Sequence, residues 1–215
     1  MTKKEEQSRR SKESICEALL HCLDEEPFRK ITVKKIIERA GVNRSTFYKY
    51  FLDKYDLLDY YIGQVKDEFI REKNYDFVHA RSDEINNPVY GTYFRESEAF
   101  IRKNSEIYRI LWNSDIGCDL FAEMQEIQKN NIFHAMQSDP FYTDEKLPYA
   151  LLYADLFSST FMITIRCWIE HQDTVEFADT SDIMKGNMEL GFFQMYRNVM
   201  ESNDIITKIP NDCKL

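Results

Sequence analysis

The chain has 215 residues, 43% apolar and 14% aromatic, with only six Gly and five Pro. That favours a helical fold over an all-β sandwich, which needs turn residues every few positions, and fits a small module sharing a core with a larger one. The formal net charge is −9, but residues 1–50 hold twelve Lys/Arg against eight Asp/Glu, and the remainder sixteen against twenty-nine. A polyanion is repelled by such a molecule everywhere except its amino-terminal end, which orients an encounter as well as attracting it. Asymmetry of this size also arises by chance on solvated faces.

Cysteines at 16, 22, 118, 167 and 213 are odd in number and form no CxxC, and the opening "MTKKEEQSRRSKES" is not a signal peptide. A reduced, cytoplasmic compartment is expected.

From Ser11 to Leu23, Ile15, Ala18, Leu19 and Cys22 recur at the helix period and predict a first helix. Pro27 breaks it, and Phe28 is available to plug a small core. Thr32 is a good N-cap for a second helix, Val33 to Ala40, with Val33, Ile36, Ile37 and Ala40 on one face and Lys34, Lys35, Glu38 and Arg39 on the other. Gly41 can take the left-handed conformation that ends a helix, and Asn43 is a favoured cap for a third. Helix, tight Gly turn, helix is the pattern of a helix-turn-helix.

In the third helix, "RSTFYKYF", Phe47 and Phe51 fall together as a buried edge. Ser45, Thr46 and Lys49 point away from it, and Tyr48 and Tyr50 flank the boundary. Small hydroxyls let the backbone approach a base-pair edge, Arg44 offers a donor fork suited to guanine or phosphate, and boundary tyrosines can donate to phosphate oxygens. Amphipathicity alone fits an ordinary surface helix equally well.

"ITVKKIIERAGVNRSTFYKYFLDKYDLL", Ile31 to Leu58, resembles the DNA-binding signature of the TetR family of transcription regulators. The matching features are the Thr opening the second helix, the Ala-Gly-Val turn, Ser-Thr-Phe-Tyr-x-x-Phe, and the following Asp-Lys-x-x-Leu-Leu. The resemblance implies phosphate contacts from Thr32, Tyr48 and Lys54, base contacts from Ser45, Thr46 and Arg44, and DNA-facing places for Lys49 and Tyr50.

A fourth helix capped by Asp53 carries Tyr55, Leu57, Leu58, Tyr61, Ile62, Val65 and Phe69. "INNPVYG", Ile85 to Gly91, reads as a break. Segments near Thr92–Lys103, Ser105–Trp112 and Ile116–Gln137 have helical spacing; "SDPFYTDEKLPY" reads as another break. The apolar helix from Leu147 to His171 is long enough to span a bilayer, but Asp155 and Arg166 inside it point to burial in protein, so no membrane is expected. A last helix, about Ile183 to Met200, lines Met184, Met188, Phe192, Met195, Tyr196 and Val199 on one side.

The expectation is an all-α protein of about nine helices: a DNA-binding domain over 1–52, a helical ligand-binding and dimerisation domain over 53–202, and a flexible tail over 203–215. The order of the last helices resembles the C-terminal region of TetR proteins of the Firmicutes type, including regulators of dihydroxyacetone kinase. That resemblance implies a homodimer through the last two helices, with "FSSTFMITIRCW" where the glycine-rich stretch usually lies. A dimer reads a palindromic operator in adjacent major grooves. Tyr90, Phe94, Trp112, Phe121, Tyr153, Phe157, Phe161 and Trp168 could line a site for an apolar or aromatic effector, or be plain core.

An enzyme is not expected: there is no glycine-rich phosphate loop, GxSxG or HExxH, and the four histidines stand apart. No cofactor or metal is implied. The function expected is a ligand-responsive repressor binding operator DNA, the alternative a TetR-like coactivator working through protein contacts.

Overall fold

The computed structural model describes residues 2–71, 75–79, 88–177, 191, 196–197 and 200–201. Among them are seven α-helices and no strand: α1 (Lys3–Glu25), α2 (Val33–Ala40), α3 (Arg44–Tyr50), α4 (Lys54–Arg71), α5 (Pro88–Asn113), α6 (Leu120–Gln137) and α7 (Leu147–Glu170). They divide between two compact units, residues 1–71 with 104–124, and residues 72–103 with 125–215.

In the first unit, α1 starts at Lys3, eight residues before the expected start at Ser11. Thr2 and Glu5 form a reciprocal capping box, with the Glu5 N–H donating to Thr2 Oγ1 at 3.3 Å and the Thr2 N–H to Glu5 Oε2 at 2.7 Å. Ion pairs Arg9–Glu13 and Arg10–Glu6 then support the exposed turns, each by about 0.2–0.5 kcal/mol. The helix buries Ile15, Cys16, Ala18, Leu19, Leu20, Cys22 and Leu23. A 3-10 turn over Phe28–Lys30 seats Phe28 in the core. Ile36 of α2, Phe47 and Phe51 around α3, and Leu57, Leu58, Tyr61, Ile62, Val65 and Phe69 of α4 complete the packing. Of the predicted inner face of α2, Ile36 alone is fully buried; Val33, Ile37 and Ala40 are half-buried.

The ends of α5 and α6 that belong to this unit bring a file of rings. Tyr108 meets Phe69 edge-on at 6.4 Å and stacks on Trp112 at 5.0 Å; Trp112 meets Phe121 edge-on at 5.1 Å. Arg109 pairs with Asp24 at 2.9 Å and Lys66 pairs with Glu123, tying these ends to α1 and α4. Gly117, at φ 84°, makes the left-handed step between α5 and α6.

In the second unit, α7 buries ten side chains, among them Tyr153, Phe157, Phe161 and Trp168. The α7 helix is long and apolar enough to cross a membrane by length and composition. Four of its other apolar side chains, Leu147, Leu151, Leu152 and Ile163, are exposed, and Leu156 is half-buried. A salt bridge between Arg197 and Asp139, each side chain 1% exposed, holds the far end of this unit, with Arg197 also donating to Val78 O at 3.2 Å.

Among the described residues seven helices stand where the sequence suggested about nine for the whole chain. The two segments near Thr92–Lys103 and Ser105–Trp112 are one helix, α5, which also absorbs the end of the expected break by starting at Pro88. Asn104-Ser105 has cap-forming residue types but no Gly or Pro, and a helix runs through them at small cost. Pro88 is acceptable because the first turn has no intrahelical partner for its missing N–H. The expected helix over 183–200 and the tail over 203–215 lie outside the described residues, apart from Gly191, Tyr196, Arg197, Met200 and Glu201.

Candidate nucleic-acid interface

The approach to α3 is set by local chemistry. Gly41 ends α2 at φ 64°, ψ 26°, and the Val42 N–H donates to Ile37 O at 3.3 Å, closing the helix end. Thr32 caps the start of α2, its Oγ1 accepting from the Lys35 N–H at 3.2 Å. Asn43 caps α3: Oδ1 accepts from the Thr46 N–H at 2.8 Å, and also from the hydroxyls of Thr46 at 2.8 Å and Ser45 at 2.6 Å. In the free protein both hydroxyl donors are therefore turned inward, leaving oxygen lone pairs for an incoming partner.

Around the short helix, Phe47 is fully buried and Phe51 3% exposed, while Arg44, Ser45, Tyr48 and Lys49 are exposed and Thr46 and Tyr50 half-buried. The two flanks differ. On one, the Arg44 guanidinium lies over the Tyr48 ring at 5.3 Å. On the other, the Lys49 ammonium donates to the Tyr50 hydroxyl at 3.2 Å, and Lys12 of α1 sits 5.8 Å from the Tyr50 ring and 4.8 Å from that of Tyr60. Hydrogen bonding by Ser8, then by Lys49 and Ser11, holds the Tyr50 phenol below its ordinary value of 10. Tyr50 thus joins α3 to α1.

Lys54 has a local use of its own. Its ammonium donates to the carbonyls of Phe28 at 2.8 Å, Arg29 at 3.2 Å and Ile31 at 2.8 Å, and lies 4.6 Å from the Phe28 ring. Three N–H donors on three carbonyls fill the hydrogen-bonding capacity of an ammonium group. The lysine locks the 3-10 turn to α4 directly before Thr32.

Charge compensation separates the cations of this unit into two groups. On α2, Lys34 pairs with Glu38 at 3.8 Å, Lys35 with Glu26 at 2.7 Å and Glu25 at 3.2 Å, and Arg39 with Glu25. The hydrogen bond from Arg39, and then that from Lys35, holds the Glu25 carboxyl below its ordinary range. By contrast Arg44 and Lys49, together with Lys4, Lys12, Arg29 and Lys30, have no carboxylate partner among the described residues. Lys4, Lys12, Arg29 and Lys30 did not stand out in the sequence. The available signal was that Lys4 and Lys12 have no acidic residue three or four positions away on α1, whereas Arg9 and Arg10 do.

Residues 15–61 match the family model for bacterial regulatory proteins, tetR family. The matched segment runs from the buried part of α1 through the helix-turn-helix into α4, and supports a tetR family regulator that binds DNA. No curated protein matches the chain.

Of the residues considered for an effector site, Trp112 and Phe121 belong to the first unit and are half-buried, and Tyr153, Phe157, Phe161 and Trp168 are buried in the second. Tyr153 and Phe157 both pack on Tyr196, at 5.4 and 6.2 Å. The side chains of Tyr90 and Phe94 lie outside the described residues. No group of three or more His, Cys, Asp or Glu side chains suited to a metal ion occurs among the described residues.

Proposed function

We propose that the protein is a ligand-responsive repressor that binds a palindromic operator as a homodimer. The observation behind the DNA contact is the division of cations: those of α2 are neutralised by Glu25, Glu26 and Glu38, while Arg44 and Lys49 on the exposed face of α3 are left uncompensated. Phosphate oxygens supply the missing negative charge, and release of condensed counterions drives the association. Ser45, Thr46 and Arg44 read bases, while Thr32, Tyr48, Lys49 and Tyr50 contact the backbone. Lys54 supports this surface by holding the turn that presents Thr32.

Dimerisation is supported by the exposed Leu147, Leu151, Leu152 and Ile163 on α7, apolar side chains that a second copy would cover. The twofold would present two α3 helices about one DNA turn, roughly 34 Å, apart. An apolar or aromatic effector would shift the population towards a form whose recognition helices no longer match the operator.

Selection of bound sequences from random duplexes with purified protein tests the proposal. A palindromic winner whose affinity falls steeply with salt is expected. No enriched sequence at moderate salt would favour a coactivator working through protein contacts.

A further inference from the structure

The basic residues of α1 divide in the same way as those of the helix-turn-helix. Arg9 and Arg10 are engaged by Glu13 and Glu6, whereas Lys3, Lys4 and Lys12 have no carboxylate partner among the described residues. At about 100° per residue, Lys4, Ser8, Ser11, Lys12 and Ile15 fall within one arc about 100° wide. Ile15 in that arc is fully buried and Lys12 lies against the Tyr50 and Tyr60 rings, so the arc faces α3 and α4, with Lys4 one turn beyond the packed part. The Lys12 and Lys49 ammonium groups both lie over the Tyr50 ring, 5.8 and 4.9 Å from its centroid, and the Ser8 hydroxyl hydrogen-bonds the Tyr50 phenol. Two ammonium groups over one phenol ring, neither with a carboxylate partner among the described residues, form a site for a phosphate oxygen.

We infer that the α1–α3 junction, Lys4, Ser8 and Lys12 of α1 with Lys49 and Tyr50 of α3, is a second backbone-phosphate site that grips the duplex beside the recognition helix. It rests on the DNA-binding proposal and adds α1 to the contact surface. Tyr48 holds one wall of the groove and the junction holds the other. This contact is blind to sequence, so it changes affinity and salt dependence without changing base preference.

The test is fluorescence anisotropy with the full chain and a labelled random-sequence duplex, from about 50 to 200 mM salt. The variants are Lys4→Gln/Lys12→Gln, Lys12→Arg, Lys49→Gln and, as a control on a neutralised cation, Lys34→Gln. The double variant is expected to weaken binding and to flatten the plot of log affinity against log salt by about 0.9 per lost contact, near 1.8 per bound protomer. Lys12→Arg keeps the wild-type slope, Lys34→Gln is unchanged, and thermal melting of all four stays close to wild type. A double variant with the wild-type slope, while Lys49→Gln binds more weakly, would overturn the contribution of α1 that defines the junction and leave DNA binding through α3 standing. A wild-type chain that binds no duplex at the lowest salt would overturn both.

Discussion

At the scale of the residue, Lys54 shows how one side chain can be read two ways. The resemblance gives it to a phosphate, whereas its ammonium is spent on three carbonyls of the turn before Thr32. Lys54→Met keeps much of the aliphatic stem and removes those bonds. We expect a loss of about 1–3 kcal/mol in urea-induced unfolding, with DNA affinity falling as a result. Unchanged stability with lost affinity would return the residue to a direct phosphate role. Arg44 differs, because it is exposed and its guanidinium leans on the Tyr48 ring. Arg44→Ala should cost about 1–3 kcal/mol at one base pair and relax preference there, measured by competition between operator variants. The thiols separate by burial: desolvation pushes Cys16 up to about 12 and raises Cys22 as well, while Cys167 is exposed. A thiol reagent at mild alkaline pH should label Cys167 in the native protein and reach Cys16 and Cys22 only on unfolding.

At the scale of the element, the helix-turn-helix was legible because its punctuation is local. Thr32, Gly41 and Asn43 each do their work within a few residues, and α2 has the expected bounds of Val33–Ala40. Gly41→Ala tests this cleanly: an added Cβ would meet nothing within 4 Å, so the cost is the strain of a φ of 64° alone. About 1 kcal/mol is expected from thermal melting. The start of α1 was not legible, since a capping box and two ion pairs replace the apolar period there. The link from α1 to α2 is pH-dependent with a definite sign. Glu25 has a depressed carboxyl in the folded state, so its contribution is complete above the ordinary value of 4.5 and is lost as pH falls through the lower folded value. The gap in melting temperature between wild type and Glu25→Gln should therefore close as pH is taken down towards 3, and a gap independent of pH would contradict the assignment.

At the scale of the whole molecule, the exposed apolar side chains of α7 make a prediction about assembly. Leu152 and Ile163 are 54% and 60% exposed, so replacing both with Glu spares the core and places charge on the proposed dimer surface. Sedimentation should show a shift from dimer to monomer and weaker operator binding with melting little changed; a wild-type monomer at all concentrations would remove the twofold. The sequence by itself determined the all-α class and the cap-turn-cap that delivers α3, because propensity, capping and a left-handed glycine act over a few neighbouring positions. Whether a cation is free or neutralised depended on what other segments bring beside it. Glu25 and Glu26 reach α2 across a turn, and Lys12 meets Tyr50 from another helix. Lys54 closes on carbonyls more than twenty positions away. Only the tertiary structure decided these pairings, since electrostatic compensation follows distance in space rather than separation along the chain.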